Sequence, residues 1–80
     1  MVRQPILMVT LVKLNQHSAE ALRVFALEMS LLPEVQGCLH LSGEFDFLLQ
    51  VSLRDPLEYD EFLETNLGRL LMVDKVQSNF

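Results

Sequence analysis

Hydrophobic and polar residues alternate along two neighbouring segments in the middle of the chain. Across residues 47–53 the odd-numbered positions are all apolar, and Gln50 and Ser52 lie between them. The preceding segment alternates as well, with Val35, Leu39 and Leu41 on one side and Gln36, Cys38, His40 and Ser42 on the other. Because side chains of a β-strand point alternately to its two faces, this pattern predicts two antiparallel strands that share one core face.

The residues that join these strands predict a tight hairpin with a polar site. Gly43 supplies the backbone freedom that a turn needs, and Asp46 places a carboxylate just beyond it. Backbone N–H groups freed by the turn would donate to a carboxylate, and Asp46 would accept from an ammonium group. These groups match the two ends of a free amino acid. The spacing is equally compatible with Glu44 and Asp46 as solvated turn residues, whereas an exposed Phe45 is typical of an interface or a ligand lid.

Four further elements follow from the pattern. Residues 5–14 predict a strand that is apolar, and therefore covered, on both faces. Ser18 and the apolar spacing after it predict a helix over residues 18–31, which Pro33 ends. An acid, a proline and a second acid at residues 55–58 predict the start of another helix. Residues 74–80 predict a last strand.

The resulting βαββαβ order predicts a single α+β domain over residues 1–80. We expect a ferredoxin-like sandwich, in which a four-stranded antiparallel sheet carries both helices on one face. Half of the 80 residues are hydrophobic, which is more apolar side chain than so small a monomer hides. We therefore expect a homodimer, of the dimeric α+β barrel type, in which a second copy covers the other face.

Composition argues against several classes of function. The net charge is −5, and the six basic residues are scattered instead of forming the basic stripe that binds nucleic acid directly. The apolar run over residues 6–12 is too short to span a membrane and lacks a signal-peptide cleavage site. No glycine-rich phosphate loop, paired cysteines or His-x-x-x-His helix is present, so we expect no cofactor and no metal. The single cysteine, Cys38, favours a reducing cytoplasm and is interpreted as a small strand residue.

Three residues are of types that often act in catalysis, and we interpret each of them as structural. His17 precedes a helix and His40 lies in a strand, and nothing in the sequence indicates that they meet. We interpret them as a residue of a capping region and a residue of a subunit contact. Tyr59 belongs to the apolar stripe of the second helix. No catalytic residue is predicted.

These residues together resemble a known family. The similar positions are Gly43-Glu44-Phe45-Asp46-Phe47-Leu48-Leu49, Arg54-Asp55, Tyr59 with Phe62 and Leu67, and Val73 with Ser78. They resemble the effector-binding domain, or RAM domain, of the Lrp/AsnC feast/famine regulators over essentially the whole chain. The resemblance implies a domain that pairs sheets into a dimer, often assembles further into an octamer, and binds amino acids or related effectors between dimers. It also implies that Gly43, Glu44, Phe45 and Asp46 line the effector site and that Ser78 contributes a hydroxyl.

The sequence departs from the family pattern in two places. The family usually carries a helix-turn-helix reader before the first strand, whereas this sequence begins at that strand. We therefore expect an isolated or trimmed domain, which is either a stand-alone protein that assembles with Lrp/AsnC-type DNA-binding relatives or a piece of such a regulator. Met72 stands where the family often has glycine, at the turn before the last strand.

The leading hypothesis is a non-enzymatic module of a transcription regulator that senses an amino acid and oligomerises. Two alternatives stay open. A small monooxygenase of the dimeric α+β barrel type shares the strand order and would need a polar cavity that uses His40 or Tyr59. An ACT-like regulatory domain shares the ligand class and differs in how its domains pair.

Overall fold

The computed structural model describes residues 5–79 and confirms the predicted order of elements. The strands are Ile6–Leu14 (β1), Val35–His40 (β2), Phe47–Leu53 (β3) and Val73–Asn79 (β4). The helices are Ala19–Ser30 (α1) and Pro56–Phe62 (α2), and a π-helical turn, Leu63–Leu67, extends α2. Phe80, the last residue of the predicted final strand, lies outside the described residues.

Both helices begin where the sequence predicts, because a side chain caps each of them. The Ser18 hydroxyl accepts a hydrogen bond from the backbone N–H of Ala21 at 3.1 Å. The Asp55 carboxylate accepts one from the N–H of Glu58 at 2.9 Å. Each cap satisfies a donor that the first helical turn leaves without an intrahelical partner.

The strands form one antiparallel sheet in the order β2-β3-β1-β4. Both helices pack on one side of it, which we call the helix face, and this is the ferredoxin-like sandwich that the element order predicts. The core between sheet and helices consists of Met8, Val12, Leu14, Phe25, Met29, Phe47, Leu49, Val51, Leu53, Tyr59, Phe62 and Leu67. Burial of these side chains is the main favourable contribution to folding.

The predicted alternation of β2 is wrong in part, because a β-bulge changes its phase. Val35 pairs with Val51 and Gly37 pairs with Gln50, so Gln36 is an extra residue on this strand. As a result Val35 and Cys38 both pack against the core, whereas Leu39 lies on the opposite face and is 58% exposed. Unbroken alternation predicts Leu39 and Val35 on the same side.

The other side of the sheet, which we call the open face, carries an apolar surface that no helix of this chain covers. Its apolar side chains are Leu7, Val9, Leu11, Leu39 and Leu48. Leu7 is 54% exposed, and Val9, Leu11 and Leu48 are half-buried. The second face of β1, which the sequence predicts to be covered, is therefore uncovered within a single chain.

The turn before β4 closes without glycine. Asn15 holds it at two points: its backbone N–H donates to the carbonyl of Met72 at 2.8 Å, and its side-chain amide donates to the carbonyl of Leu71 at 2.7 Å. No residue other than glycine has a positive φ within residues 5–79, so Met72 adopts an ordinary backbone conformation. Among the helices that the structure describes, none is long and apolar enough to cross a membrane.

Candidate functional site

Residues 41–46, which we call the hairpin loop, join β2 to β3 through a wider connection than the tight turn that the sequence predicts. The backbone N–H of Leu41 donates to the carbonyl of Asp46 at 2.8 Å and closes the loop. The N–H of Asp46 donates to the carbonyl of Val12 in β1 at 2.9 Å, which fixes the loop against the end of that strand. Gly43 has φ of 127°, a conformation that favours glycine.

The tip of the hairpin loop presents unused backbone donors. Within the part of the chain that the structure describes, no protein acceptor is found for the N–H groups of residues 42–45. Ser42, Gly43 and Glu44 are exposed, whereas Phe45 is half-buried. Successive free N–H groups in a turn form a concave site for an anion such as a carboxylate.

Asp46 is buried, and its carboxylate joins the hairpin loop to the segment that links β1 to α1. Its Oδ2 accepts a hydrogen bond from the backbone N–H of Leu14 at 2.8 Å, where β1 ends. The same oxygen lies 3.1 Å from Nε2 of His17, just before α1. His17 thus meets a carboxylate rather than His40, a contact that the sequence does not reveal.

Phe45 is half-buried rather than exposed. The ammonium group of Lys75 in β4 lies 5.9 Å from the centre of its ring, within the range of a cation–π contact. Glu44 beside it is exposed. The loop therefore contacts β4 as well as β1.

Ser78 lies apart from the hairpin loop within one chain. It pairs with Thr10 across the β1–β4 ladder, whereas the loop contacts β1 at Val12 and Leu14. The Ser78 hydroxyl is 2.5 Å from the Tyr59 hydroxyl, which in turn is 2.7 Å from the fully buried hydroxyl of Thr10. Neither Thr10 nor this chain of three hydroxyls was predicted, because its members are 19 and 49 positions apart.

The other two candidate residues, His40 and Cys38, pack against apolar side chains. The His40 ring contacts that of Phe47 at a centroid distance of 5.2 Å. Cys38 is half-buried against the core, and this burial raises the pKa of its thiol, which disfavours the reactive thiolate. Within residues 5–79 there is no group of three or more His, Cys, Asp or Glu side chains that could hold a metal ion.

The hairpin loop therefore combines two chemically opposite groups. The free N–H groups of residues 42–45 can donate to an anion, and Asp46 at the base of the loop carries a negative charge. The second carboxylate oxygen of Asp46 has no protein partner among the described residues, and it is not sealed from solvent. These are the two kinds of group that the carboxylate and the ammonium of a small zwitterion would require.

Comparison with known proteins relates this chain to transcription regulators. Residues 7–80 match the family model described as the Lrp/AsnC ligand binding domain. The DNA-binding transcriptional activator DecR of Escherichia coli K12 is 33% identical over 70 residues, a match that covers 88% of this chain and 46% of DecR. The chain spans about half the length of the curated relatives that it matches.

Solved structures agree with this relation. An AsnC family transcriptional regulator from Agrobacterium tumefaciens superposes with a TM-score of 0.86 at 28% identity, over 98% of this chain and 50% of that one. A transcriptional regulator from Neisseria meningitidis, solved in complex with L-Met, gives a TM-score of 0.82 at 30% identity, over 92% of this chain and 47% of that one. DecR and these two solved proteins are transcription regulators by name.

Proposed function

Since this chain belongs to the Lrp/AsnC ligand-binding domain family, we propose that it binds a free amino acid at the hairpin loop and assembles with copies of itself. We propose further that the protein acts in the cytoplasm, where ligand binding changes transcription through Lrp/AsnC-type DNA-binding partners. The observation that carries the proposal is that one loop contains both free backbone donors, at residues 42–45, and the carboxylate of Asp46.

The residues of the hairpin loop have distinct roles in this proposal. The N–H groups of Gly43, Glu44 and Phe45 bind the ligand carboxylate, and Asp46 attracts the ammonium group. Ser78 pairs with Thr10 on β1, whereas the loop contacts β1 at Val12 and Leu14. In this proposal its hydroxyl contributes to a site on a neighbouring subunit, in a pocket formed between dimers.

Self-assembly is supported by the open face. Its five apolar side chains form a surface on a twisted antiparallel sheet, and such sheets bury an apolar face by packing on another layer. A second copy presents the same surface and satisfies this need symmetrically. The proposed dimer thus pairs two open faces, and further association of dimers, up to an octamer, would create the ligand pockets.

Isothermal titration calorimetry with the common L-amino acids tests ligand binding. L-Met is the first ligand to try, because the Neisseria meningitidis relative was solved with it. We expect saturable heat with at least one amino acid and none with its amide or its decarboxylated amine, which lack the carboxylate. Absence of heat with every amino acid, from protein shown to be folded and oligomeric, would contradict the proposal.

Substitution of Asp46 tests its role. Asp46→Asn keeps an oxygen that accepts from the N–H of Leu14 and removes the charge that attracts an ammonium. We expect a loss of about 1 to 3 kcal/mol of binding free energy, the scale of a hydrogen bond to a charged group. Asp60→Asn, which removes an exposed carboxylate from α2, is the matched control and is expected to bind normally. Equal affinities of Asp46→Asn and the unmodified protein would remove Asp46 from the site.

A further inference from the structure

The carboxylate of Asp46 already has a partner that resembles a ligand cation. Nε2 of His17 lies 3.1 Å from Oδ2 of Asp46. The His17 side chain is 56% exposed, whereas that of Asp46 is only 12% exposed. The imidazole is thus an exposed surface group that contacts a nearly buried carboxylate.

The two donors to this oxygen differ in how easily they can leave. The N–H of Leu14 belongs to the backbone of β1 and holds Asp46 at 2.8 Å in a buried position. His17 follows β1 in a segment without regular structure, and rotation of its side chain would return it to water. Of the two, only the imidazole can be exchanged for another donor without disturbing the sheet.

We propose that His17 is an internal competitor for the ammonium group of the ligand. This inference rests on the proposed function, because it requires that the ammonium of an amino acid reaches Asp46. In the unliganded protein the imidazole pairs with the carboxylate, and an incoming ammonium takes its place. An ammonium at the second oxygen of Asp46 competes in the same way, because both oxygens share one negative charge. His17 therefore weakens ligand binding and couples occupancy to the segment between β1 and α1.

His17 is the side chain that an incoming ammonium has to displace. Among the described residues, it is the one side chain in hydrogen-bond or ion-pair contact with the Asp46 carboxylate. The other donor to that carboxylate is the backbone N–H of Leu14. Removal of the imidazole should therefore strengthen binding of the ligand ammonium.

Calorimetry on matched variants tests the competition, with L-Met as the probe and L-Leu as the second. His17→Ala should bind about two- to tenfold more tightly than the unmodified protein, the range that one partly exposed hydrogen bond spans. The gain should disappear when Asp46 is also substituted, a dependence that a purely structural role would not produce. Gln16→Ala alters the same exposed segment without touching Asp46 and should leave the affinity unchanged.

A double-mutant cycle shows whether His17 acts through Asp46. In the Asp46→Asn background, His17→Ala should leave the affinity unchanged, because the competition for the charge is already gone. Unchanged or weaker binding by His17→Ala, in a protein that binds the probe, rejects this inference and leaves the proposed function standing. No heat from the unmodified protein and from His17→Ala with any common amino acid rejects both. Binding that is detected only in His17→Ala supports both.

Discussion

The two faces of the sheet arise from the same strands, yet the chain completes only one of them. On the helix face, Val12, Leu49 and Val51 are fully buried beneath α1 and α2. On the open face, Leu7 and Leu39 remain largely exposed. Yet Leu7 belongs to β1, the strand of the buried Val12, and Leu39 belongs to β2, which pairs with the strand of Leu49 and Val51. Alternation therefore shows which side chains share a face, but it does not show what covers that face.

The difference separates stability of the fold from assembly. Contacts on the helix face are intramolecular, so their contribution does not depend on protein concentration. Contacts of the open face are made, in our proposal, with a second copy, so their contribution rises with concentration. Substitutions on the helix face should consequently change the stability of the fold, whereas those on the open face should change assembly.

The largest effect is expected from the core of the helix face. Phe25 is fully buried and its ring lies 4.9 Å from that of Phe47, so Phe25→Ala should lower the free energy of unfolding by about 3 to 5 kcal/mol. Urea unfolding measures this loss, which should be the same at low and high protein concentration. Leu27→Ala, at an exposed position of the same helix, is the control and should change the free energy by less than about 0.5 kcal/mol. Equal losses from both would contradict the assigned core.

A charge on the open face should break assembly and leave the fold intact. Leu11 lies on the central strand β1 opposite Leu48, and Leu11→Asp would bring two carboxylates into a symmetric interface. We expect dissociation constants at least about 100-fold higher, or about 2.7 kcal/mol, by analytical ultracentrifugation. Leu57→Asp, at an exposed position of α2, should assemble normally. Normal assembly of Leu11→Asp would place the interface elsewhere.

The helix face accepts polar groups only when they are paired. Tyr59→Phe removes the partner of the buried Thr10 hydroxyl and should lower the free energy of unfolding by about 1 to 3 kcal/mol. The Ser78 hydroxyl loses the same partner but lies at an exposed position, where water can replace it. Adding Thr10→Val removes the buried hydroxyl, so the double variant should lose less than the sum of the single variants. Chemical denaturation of all four proteins measures this coupling, and strict additivity would show that the hydroxyls do not interact.

The smallest effect concerns like charges on the open face. Lys13 in β1 pairs directly with Lys75 in β4, and like charges at such positions are mildly destabilising. Lys13→Glu should raise the free energy of unfolding by about 0.2 to 1 kcal/mol at low salt, with a smaller gain at high salt. Lys13→Gln removes the repulsion without adding an attraction. Its free energy of unfolding should therefore lie between those of the unmodified protein and Lys13→Glu. A gain that is independent of salt would have another cause.

Much of the fold followed from local signals in the sequence. Ser18 and Asp55 each act within three residues, so their caps mark the starts of both helices without knowledge of the tertiary structure. The alternation of β3 was likewise sufficient to assign its buried side. In β2 the bulge at Gln36 shifts the phase. Gly37 beside it is a local sign of a bulge, but a glycine in a strand does not fix which residue is the extra one.

The candidate site was less accessible to sequence reasoning. Gly43 and Asp46 marked the loop, because a glycine and a nearby acid are local features. The contacts of Asp46 with Leu14 and His17 span 32 and 29 positions and depend on how β1 and the hairpin loop meet. The role of Asn15 at the turn before β4 is non-local for the same reason, since its side chain reaches a carbonyl 56 residues away.

Native mass spectrometry with and without an amino-acid mixture tests the central claim most directly, because one spectrum reports both subunit number and bound mass. We predict an even number of subunits at micromolar concentration, with the mass of an amino acid added in the presence of the mixture. Leu11→Asp should shift the same spectrum toward folded single subunits. A folded single subunit from the unmodified protein at every concentration tested, with no added mass, would contradict the account.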